Sequence, residues 1–519
     1  MRVFWAAMAG LLPAVSTNAA AQTAAPPAAG LDAWINATIQ PASDFVSSII
    51  FFSVPINGVG FPLVVGWLIA GALVFTLSLK FINAWGFRQG VRVVQGRYAD
   101  PSHPGEVSQF QALATALSGT VGLGNIAGVA IAIGIGGPGA AFWMMVAGFL
   151  GMTSKMVECT MGVKYRIIRA DGTVSGGPMY YLSRGLAAQG RPRLGRFLAV
   201  FFAVMALGGS LGAGNMFQIN QAVQQLQIVT GGADSPLAGN GWLIGLVVAA
   251  VLALVIVGGI KSIARVTDKL VPFMCGLYVI ACLVVIFTHV TEIPRVIVYI
   301  VTSAFAPEGV VGGVVGALIA GVRRAAFSNE AGLGSAAIAH SAAKTNEPVS
   351  EGMVALLEPF IDTIVICFMT AFVVIVTGAY KLEGLDGVAM TSAAFGETIT
   401  WFPYVLTLVV FLFAFSTQIS WCYYGTRAMA YLTNESRLAE NLFKIVFLVF
   451  VVIGASLNLD SVVAFSDAMI FAMAFPNILG LYLLLPELRR DVDSYWLRVQ
   501  TGAIRETNPG RFRLTRAPR

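Results

Sequence analysis

Long apolar runs alternate with short polar stretches along most of this chain. Eleven apolar segments can be marked, at roughly 60–82, 107–136, 140–164, 197–228, 241–260, 270–290, 311–341, 352–379, 401–432, 441–458 and 465–486. A helix rises ~1.5 Å per residue, so each segment can span a hydrocarbon core ~30 Å thick. Ahead of them, residues 31–54 carry Trp34 and Phe51-Phe52 and read as an interfacial helix. The pattern predicts an all-α polytopic membrane protein with eleven transmembrane helices.

Two segments interrupt their own pattern. The second carries VGLGNIAG (121–128) and the seventh NEAGLGSAA (329–337), each with a central GLG followed by a small polar residue, Asn125 or Ser335. Glycine weakens a helix by about 1 kcal/mol relative to alanine, and a buried amide needs partners. The two lie five segments apart. Segments 2–6 and 7–11 therefore read as two five-helix repeats, the second inverted because five is odd, with segment 1 as an extra helix. Gly-interrupted segments at matching positions of two halves point to a transporter binding site at two discontinuous helices. Freed N–H and C=O groups there face a ligand rather than lipid.

Composition supports the membrane reading and charge adds an orientation. The 519 residues are 57% hydrophobic and 11% charged, where soluble domains carry about 25% charged residues. The loops after segments 1, 3, 5, 7 and 9, their adjoining segment ends and the C-terminal tail hold 27 of the 32 Lys and Arg, and the loops of the other face hold only Arg295 and Lys381. The mature N-terminus is thus expected outside and the tail in the cytoplasm. The net charge of +6 does not point to nucleic acid, since the basic residues sit in loops, at segment ends and in the tail. The first residues, MRVFWAAMAGLLPAVSTNAAAQT, have one Arg, a short apolar run and a small-residue site near Ala19-Ala20-Ala21, the pattern of a cleaved signal peptide. AAPPAAG (24–30) follows as a linker. The five Cys all fall in apolar segments, with no CxxC and no metal spacing.

At SGTVGLGNIAG (118–128), GGPMYYL (176–182), FSNEAGLGSAAIAHSAAKT (327–345) and FSTQISWCYYG (415–425), the chain resembles the alanine/glycine:cation symporter family. The resemblance covers about residues 60–490. It implies a leucine-transporter-like fold, one extra helix followed by a 5+5 inverted repeat. It implies import of small neutral amino acids, chiefly alanine and glycine, driven by sodium or sometimes protons. The chain then divides into a signal peptide (1–21), a periplasmic linker and interfacial helix (22–59), a transporter domain (60–486) and a basic cytoplasmic tail (487–519). The domain comprises the extra helix (60–82), a first repeat (107–290) and an inverted second repeat (311–486). Its expected setting is the bacterial inner membrane. The N-terminal extension departs from the family pattern.

For an amino-acid ligand, the carboxylate needs N–H donors and a positive helix end. The stretch Val121–Asn125 opens a half-helix near Ile126 that supplies both, and Gly122 and Gly124 allow close backbone approach. Carbonyls around Ala326–Ser328 and the side chains of Ser328 and Asn329 are the candidate acceptors for the ammonium. Similarity to the leucine-transporter fold assigns a sodium site to the carbonyls of Ser118, Val121 and Ala414 and the hydroxyl of Thr417, with Gln418 where that fold often has a second hydroxyl. Thr120 and Asn125 serve either a second sodium or the substrate. Gln218, from GNMFQINQ (214–221), matches the family's substrate contact, Trp421 lies one turn after Thr417 and walls the cavity, and Phe327 is the candidate lid. Sodium is the coupling ion the resemblance chiefly implies, and lipid the surrounding medium.

Four carboxylates lie at membrane depth, Glu158, Glu330, Glu358 and Asp362, and such residues are functional candidates by default. Arg323 and Arg324 stand in the outer half of segment 7. The expectation is a structural ion pair between these Arg and carboxylates such as Glu358 or Asp362, the other reading being Asp362 beside sodium. His103, His289 and His340 are expected at segment ends or in loops, forming no relay. Enzyme classes find no support: there is no HExxH or GxGD, EPFID lacks a partner segment, and GGSLG (208–212) lies inside an apolar segment rather than on a strand-to-helix turn. A proton-coupled carrier of the same fold is the alternative. An ion channel is the more distant one, because channels reach a pore by oligomeric symmetry rather than internal inverted repetition.

Overall fold

A computed structural model describes residues 41, 44–56, 58–170, 172–306 and 313–507. The expected signal peptide, Trp34 and the last residues of the tail lie outside these. The interfacial helix expected over 31–54 gives way after residue 50. The chain turns instead into a hairpin, β1 (Ser53–Ile56) against β2 (Val59–Pro62), with Ser53 opposite Pro62. Gly58, at φ +81°, takes the left-handed conformation that such a tight connection favours.

The remainder is helical. The first apolar helix, α1 (Leu63–Ser78), precedes the bent pair α2 (Gln109–Thr120) and α3 (Gly124–Gly136). Then come α4 (Gly139–Lys164), α5 (Pro192–Val229), α6 (Gly241–Ile256), α7 (Gly259–Thr288) and α8 (Ile293–Phe305). The second half holds α9 (Gly313–Asn329), α10 (Ala336–His340), α11 (Pro348–Val376), α12 (Gly387–Thr398), α13 (Phe402–Leu432), α14 (Arg437–Ser456) and α15 (Leu459–Gln500). Among the described residues, seven helices are long and apolar enough to cross a membrane, or eight when α2–α3 is counted as one bent span. Local signals mark several starts. Ser108 and Gln111 form a reciprocal capping box at α2, and the side chains of Ser436 and Asn458 cap α14 and α15.

Helices from the two halves of the chain pack on one another. α4 lies against α9 and α11, α5 against α13, and α6 against α14, while α7 contacts both α2 and α13. Widened π turns interrupt these helices at Gly124–Gly128, Gly212–Met216 and Phe360–Cys367, a feature found frequently at functional sites. The middle one lets Gly214 pass the Trp421 indole, where a Cβ would collide.

Close approach of α9 to α4 depends on a missing side chain. A Cβ on Gly321 would lie 2.5 Å from the Ala140 carbonyl oxygen and 2.7 Å from the Trp143 Cβ. Gly321→Ala is therefore expected to lower stability by about 1–3 kcal/mol through overpacking. Gly276 on α7 has open space around it, so Gly276→Ala should be neutral or raise stability by up to ~1 kcal/mol. Thermal unfolding of both variants in detergent checks this.

Candidate functional site

The first break lies where the sequence pattern placed it. α2 stops at Thr120, Val121 turns extended (φ −76°, ψ 90°), and the chain resumes as α3 bent by 53°. Two freed backbone donors are taken by side chains. The Gly122 N–H donates to Asn125 Oδ1 and the Leu123 N–H to Gln218 Oε1, both at 2.9 Å. Gln218 Nε2 in turn donates to the Ala213 carbonyl at 2.9 Å, a group of the π turn in α5. Gln218 is thus a strap between α5 and the break.

The second break runs from Glu330 to Ser335. Glu330 is held at φ +57°, with Gly332 at +89° and Gly334 at +86°. A left-handed conformation is uncommon for a non-glycine residue. Here the Glu330 carboxylate is gripped by the Ser335 hydroxyl and by Trp421 Nε1, the latter at 2.9 Å. The two breaks touch: a Cβ on Gly124 would stand 3.2 Å from the Ser328 Cα. Between them is a small cavity lined by Gly119, Thr120, Gly124, Ala213, Gln218, Phe327, Glu330, Trp421 and Ile470. The structure thus gathers the expected Thr120, Gly124, Gln218, Phe327 and Trp421. The Thr120 hydroxyl leans back on the Ala116 carbonyl at 3.3 Å.

Ser328, Asn329 and Asn125 do not point at this cavity. Ser328 Oγ donates to both Asp362 oxygens at 3.0–3.1 Å, and Asn125 Nδ2 donates to Asp362 Oδ1 at 2.6 Å. Asn329 spans Thr363 Oγ1 and the Ala331 N–H, each at 2.9 Å. Asp362 and Thr363 ride the π turn of α11, which reaches in behind both breaks. The expectation that Ser328 and Asn329 offer side-chain acceptors to a ligand's ammonium is corrected accordingly: their side chains are engaged in α11. Glu330 is the acidic side chain that faces the cavity. It was marked in the sequence as a carboxylate at depth, but nothing in the spacing said that the left-handed turn would aim it there.

Beside the first break, Thr417 Oγ1 is buried without a hydrogen-bond partner and faces the bare Cα of Gly122. Ser118, Val121 and Ala414 are buried next to it on α2, the break and α13. The two helices are stitched by Ser118 Oγ to the Ser416 carbonyl at 2.7 Å and Ser420 Oγ to the Thr115 carbonyl at 2.9 Å. Gln418 turns aside to Asn215 Oδ1 at 3.0 Å.

The expected ion pairs are corrected. Arg323 and Arg324 pair with Asp467 of α15, Arg323 at 2.7 Å, and not with Glu358 or Asp362. α15 packs on α9 at that level, whereas α11 meets α9 lower down, beside the break. The Arg324 guanidinium also lies 4.9 Å from the Phe327 ring centroid, backing one wall of the cavity. Glu358 contacts Lys155 at 3.4 Å, and Asp362 has no cation within 4 Å among the described residues. His340 ends α10, a segment end as expected, yet it is fully buried, 2.6 Å from Glu351 and 3.8 Å from Glu358, because α10 packs on α4 and α2.

Comparisons with known proteins come from sequence and from fold. The sodium:alanine symporter family matches residues 44–508. The chain is 38% identical over 421 residues to the sodium/alanine symporter AgcS of Methanococcus maripaludis, covering 80% of this chain and 90% of that one. It is 34% identical over 419 residues to the probable sodium/glutamine symporter GlnT of Bacillus subtilis, covering 80% and 84%. Its fold is similar to that of MhsT solved with L-phenylalanine, at a TM-score of 0.50 and 14% identity, covering 74% of this chain and 99% of that one.

Proposed function

Because this chain belongs to the sodium:alanine symporter family, and is a sodium-coupled amino-acid symporter rather than an enzyme, we propose that its substrate is a small neutral amino acid, alanine or glycine, carried inward by alternating access. The observation that carries this reading is the pair of facing breaks around a small cavity. Trp421, Phe327 and Ile470 leave little room for a long side chain, which favours alanine over glutamine.

In this reading the substrate carboxylate takes over from Gln218 Oε1 at the Leu123 N–H, beside Gly124 and the positive end of α3. Gln218 is the one strap of the break that also lines the cavity. The ammonium meets the Glu330 carboxylate. Sodium takes the oxygen of Thr417 together with the Ser118, Val121 and Ala414 carbonyls. The unpaired, buried Thr417 Oγ1 supports this, since a hard cation prefers oxygen ligands and an unsatisfied hydroxyl is otherwise costly. Asn125 and Asp362 form a second polar centre behind the breaks.

Eleven spans follow if the short apolar helices α1 and α6 and the interrupted α9–α10 each cross beside the eight. The inverted repeat then relates α2–α3 to α9–α10, α4 to α11, α5 to α13 and α6 to α14. Each of these four pairs is in direct contact, while the fifth pair of the repeat, α7 and α15, is not closely packed. Orientation rests on the Lys/Arg asymmetry. Single cysteines replacing Arg184 and Arg437 should react with an impermeant label from the cytoplasmic side, and those replacing Asp234 and Glu383 from outside, in a background without the five native Cys. Labelling of all four from one face would end the inverted-repeat reading.

Two variants test the site. Thr417→Val keeps the shape and removes one sodium ligand, so the half-saturating sodium concentration should rise by about tenfold or more, at ~1.4 kcal/mol per decade, while Thr417→Ser stays mild. An unchanged sodium response would move the ion elsewhere. Gly124→Val should abolish sodium-dependent binding of labelled alanine in a protein that still folds, and alaninamide should not compete in the wild type. Normal alanine binding by Gly124→Val, or full competition by alaninamide or glutamine, would count against this site and its size.

A further inference from the structure

Directly inward of the second break lies a cluster of buried ionisable groups that the ligand reading above does not use. Lys155 is fully buried, with its ammonium 3.4 Å from Glu358 Oε2 and without a hydrogen-bond partner. Glu358 Oε2 is also 3.8 Å from His340 Nε2, and His340 Nδ1 is 2.6 Å from Glu351 Oε1. Both oxygens of Glu358, one each of Glu351 and Glu158, and His340 Nε2 have no hydrogen-bond partner. The charges of Glu330 and Glu158 also act on Lys155. The cluster therefore connects electrostatically to the cavity through Glu330.

The groups facing it come from every neighbouring element. α4 brings Lys155, Glu158 and Cys159, α10 brings His340, and α11 brings Glu351 and Glu358. The break brings Glu330, Tyr424 of α13 and Tyr181 face it with their hydroxyls, and Arg166 acts on Glu351 from the edge. Four carboxyl groups thus face two fixed cations and one imidazole. Even with the imidazole charged, full ionisation leaves one negative charge in excess. Burying an uncompensated charge costs several kcal/mol, and the ordinary remedy is protonation. No group of three or more His, Cys, Asp or Glu among the described residues is arranged to hold a metal ion, and the Lys155 ammonium already occupies the centre.

We propose that this cluster is a proton-binding site, and that it exchanges its proton for the positive charge of the ligand. With the cavity empty, the excess negative charge retains a proton. When the substrate ammonium arrives at Glu330, it supplies the missing positive charge, and the proton leaves to solvent. The balance is one zwitterion in and one proton out: the ammonium takes the proton's place beside Glu330, the carboxylate is compensated separately by the Leu123 N–H and the positive end of α3, and no bond to carbon changes. This rests on the proposed placement of the ammonium at Glu330.

The empty protein holds more protons than the liganded one, so alanine affinity rises with pH, by up to tenfold per pH unit for one proton. The test is calorimetric titration of alanine into detergent-solubilised protein at saturating sodium, near pH 7, in two buffers of different ionisation enthalpy. Close to one proton should be released by the wild type. Glu358→Gln and Glu351→Gln each remove the excess charge while keeping volume, and neither touches the cavity, so both should bind alanine with proton release and pH dependence reduced toward zero. Wild-type binding without proton release, or undiminished release in both variants, would overturn the exchange. Absence of sodium-dependent alanine binding in the wild type at every pH would instead overturn the transport reading beneath it, and the exchange with it.

Discussion

Lipid offers no hydrogen bonds, so every backbone group freed by a broken helix must find its partner inside the protein. In this molecule four side-chain amides meet that demand. Asn125 takes the Gly122 N–H, Gln218 the Leu123 N–H, and Asn329 the Ala331 N–H, while Asn477 donates to the Gly332 carbonyl at 2.8 Å. Each is buried, and each ties a break to a different helix or to its own turn. Three of the four are closed off from the cavity. Gln218 alone among them lines it, and in the proposed binding mode its bond is the one the substrate carboxylate replaces.

The same constraint governs charge. Ionised groups at membrane depth persist only where they are paired or neutralised, and they fall into three centres at successive depths. Asp467 holds two guanidiniums on one side of the cavity, Asp362 accepts hydroxyl and amide donors behind the breaks, and Lys155 sits among carboxyl groups on the opposite side. Glu330 lies between the last centre and the cavity, in a strained conformation that the Trp421 and Ser335 bonds maintain. Strain of this kind costs about 1–3 kcal/mol and persists where the surroundings overdetermine it.

The closures on the two sides of the cavity differ in kind. On the α9–α15 side, the Arg324–Asp467 pair is buried and backed by Phe327, so separating it leaves charge in a poor dielectric. On the tail side, α15 is tied to the start of α11 by two bonds between Arg498 and Glu347, at 2.6 and 2.7 Å, and to the end of α4 by Lys164 and Glu487 at 2.6 Å. These groups are partly exposed, and exposed pairs contribute at most about 1 kcal/mol each. In the proposed cycle, the tail side therefore opens against weaker, salt-sensitive contacts, and the α9–α15 side opens only if Arg323 and Arg324 are rehydrated.

Hydropathy and glycine interruption are local properties of the chain, and what depends on them was legible beforehand: the helical membrane class, most span positions, and both breaks. Similarity of motif added Gln218, Phe327 and Trp421 at the cavity and Thr417 beside the first break. Partner choice was not legible. Arg323 and Arg324 meet Asp467, some 143 residues away, because α15 rather than α11 packs at their depth. His340 lies in a buried cluster because α10 packs on α4 and α2, and Asn125, Ser328 and Asn329 turn toward a widened turn of α11 that no periodicity announces. Helical spacing determines which face a residue occupies. Only the packing of helices decides what that face meets, and in a low dielectric that meeting determines whether a charge is a pair, a clasp or a place for a proton.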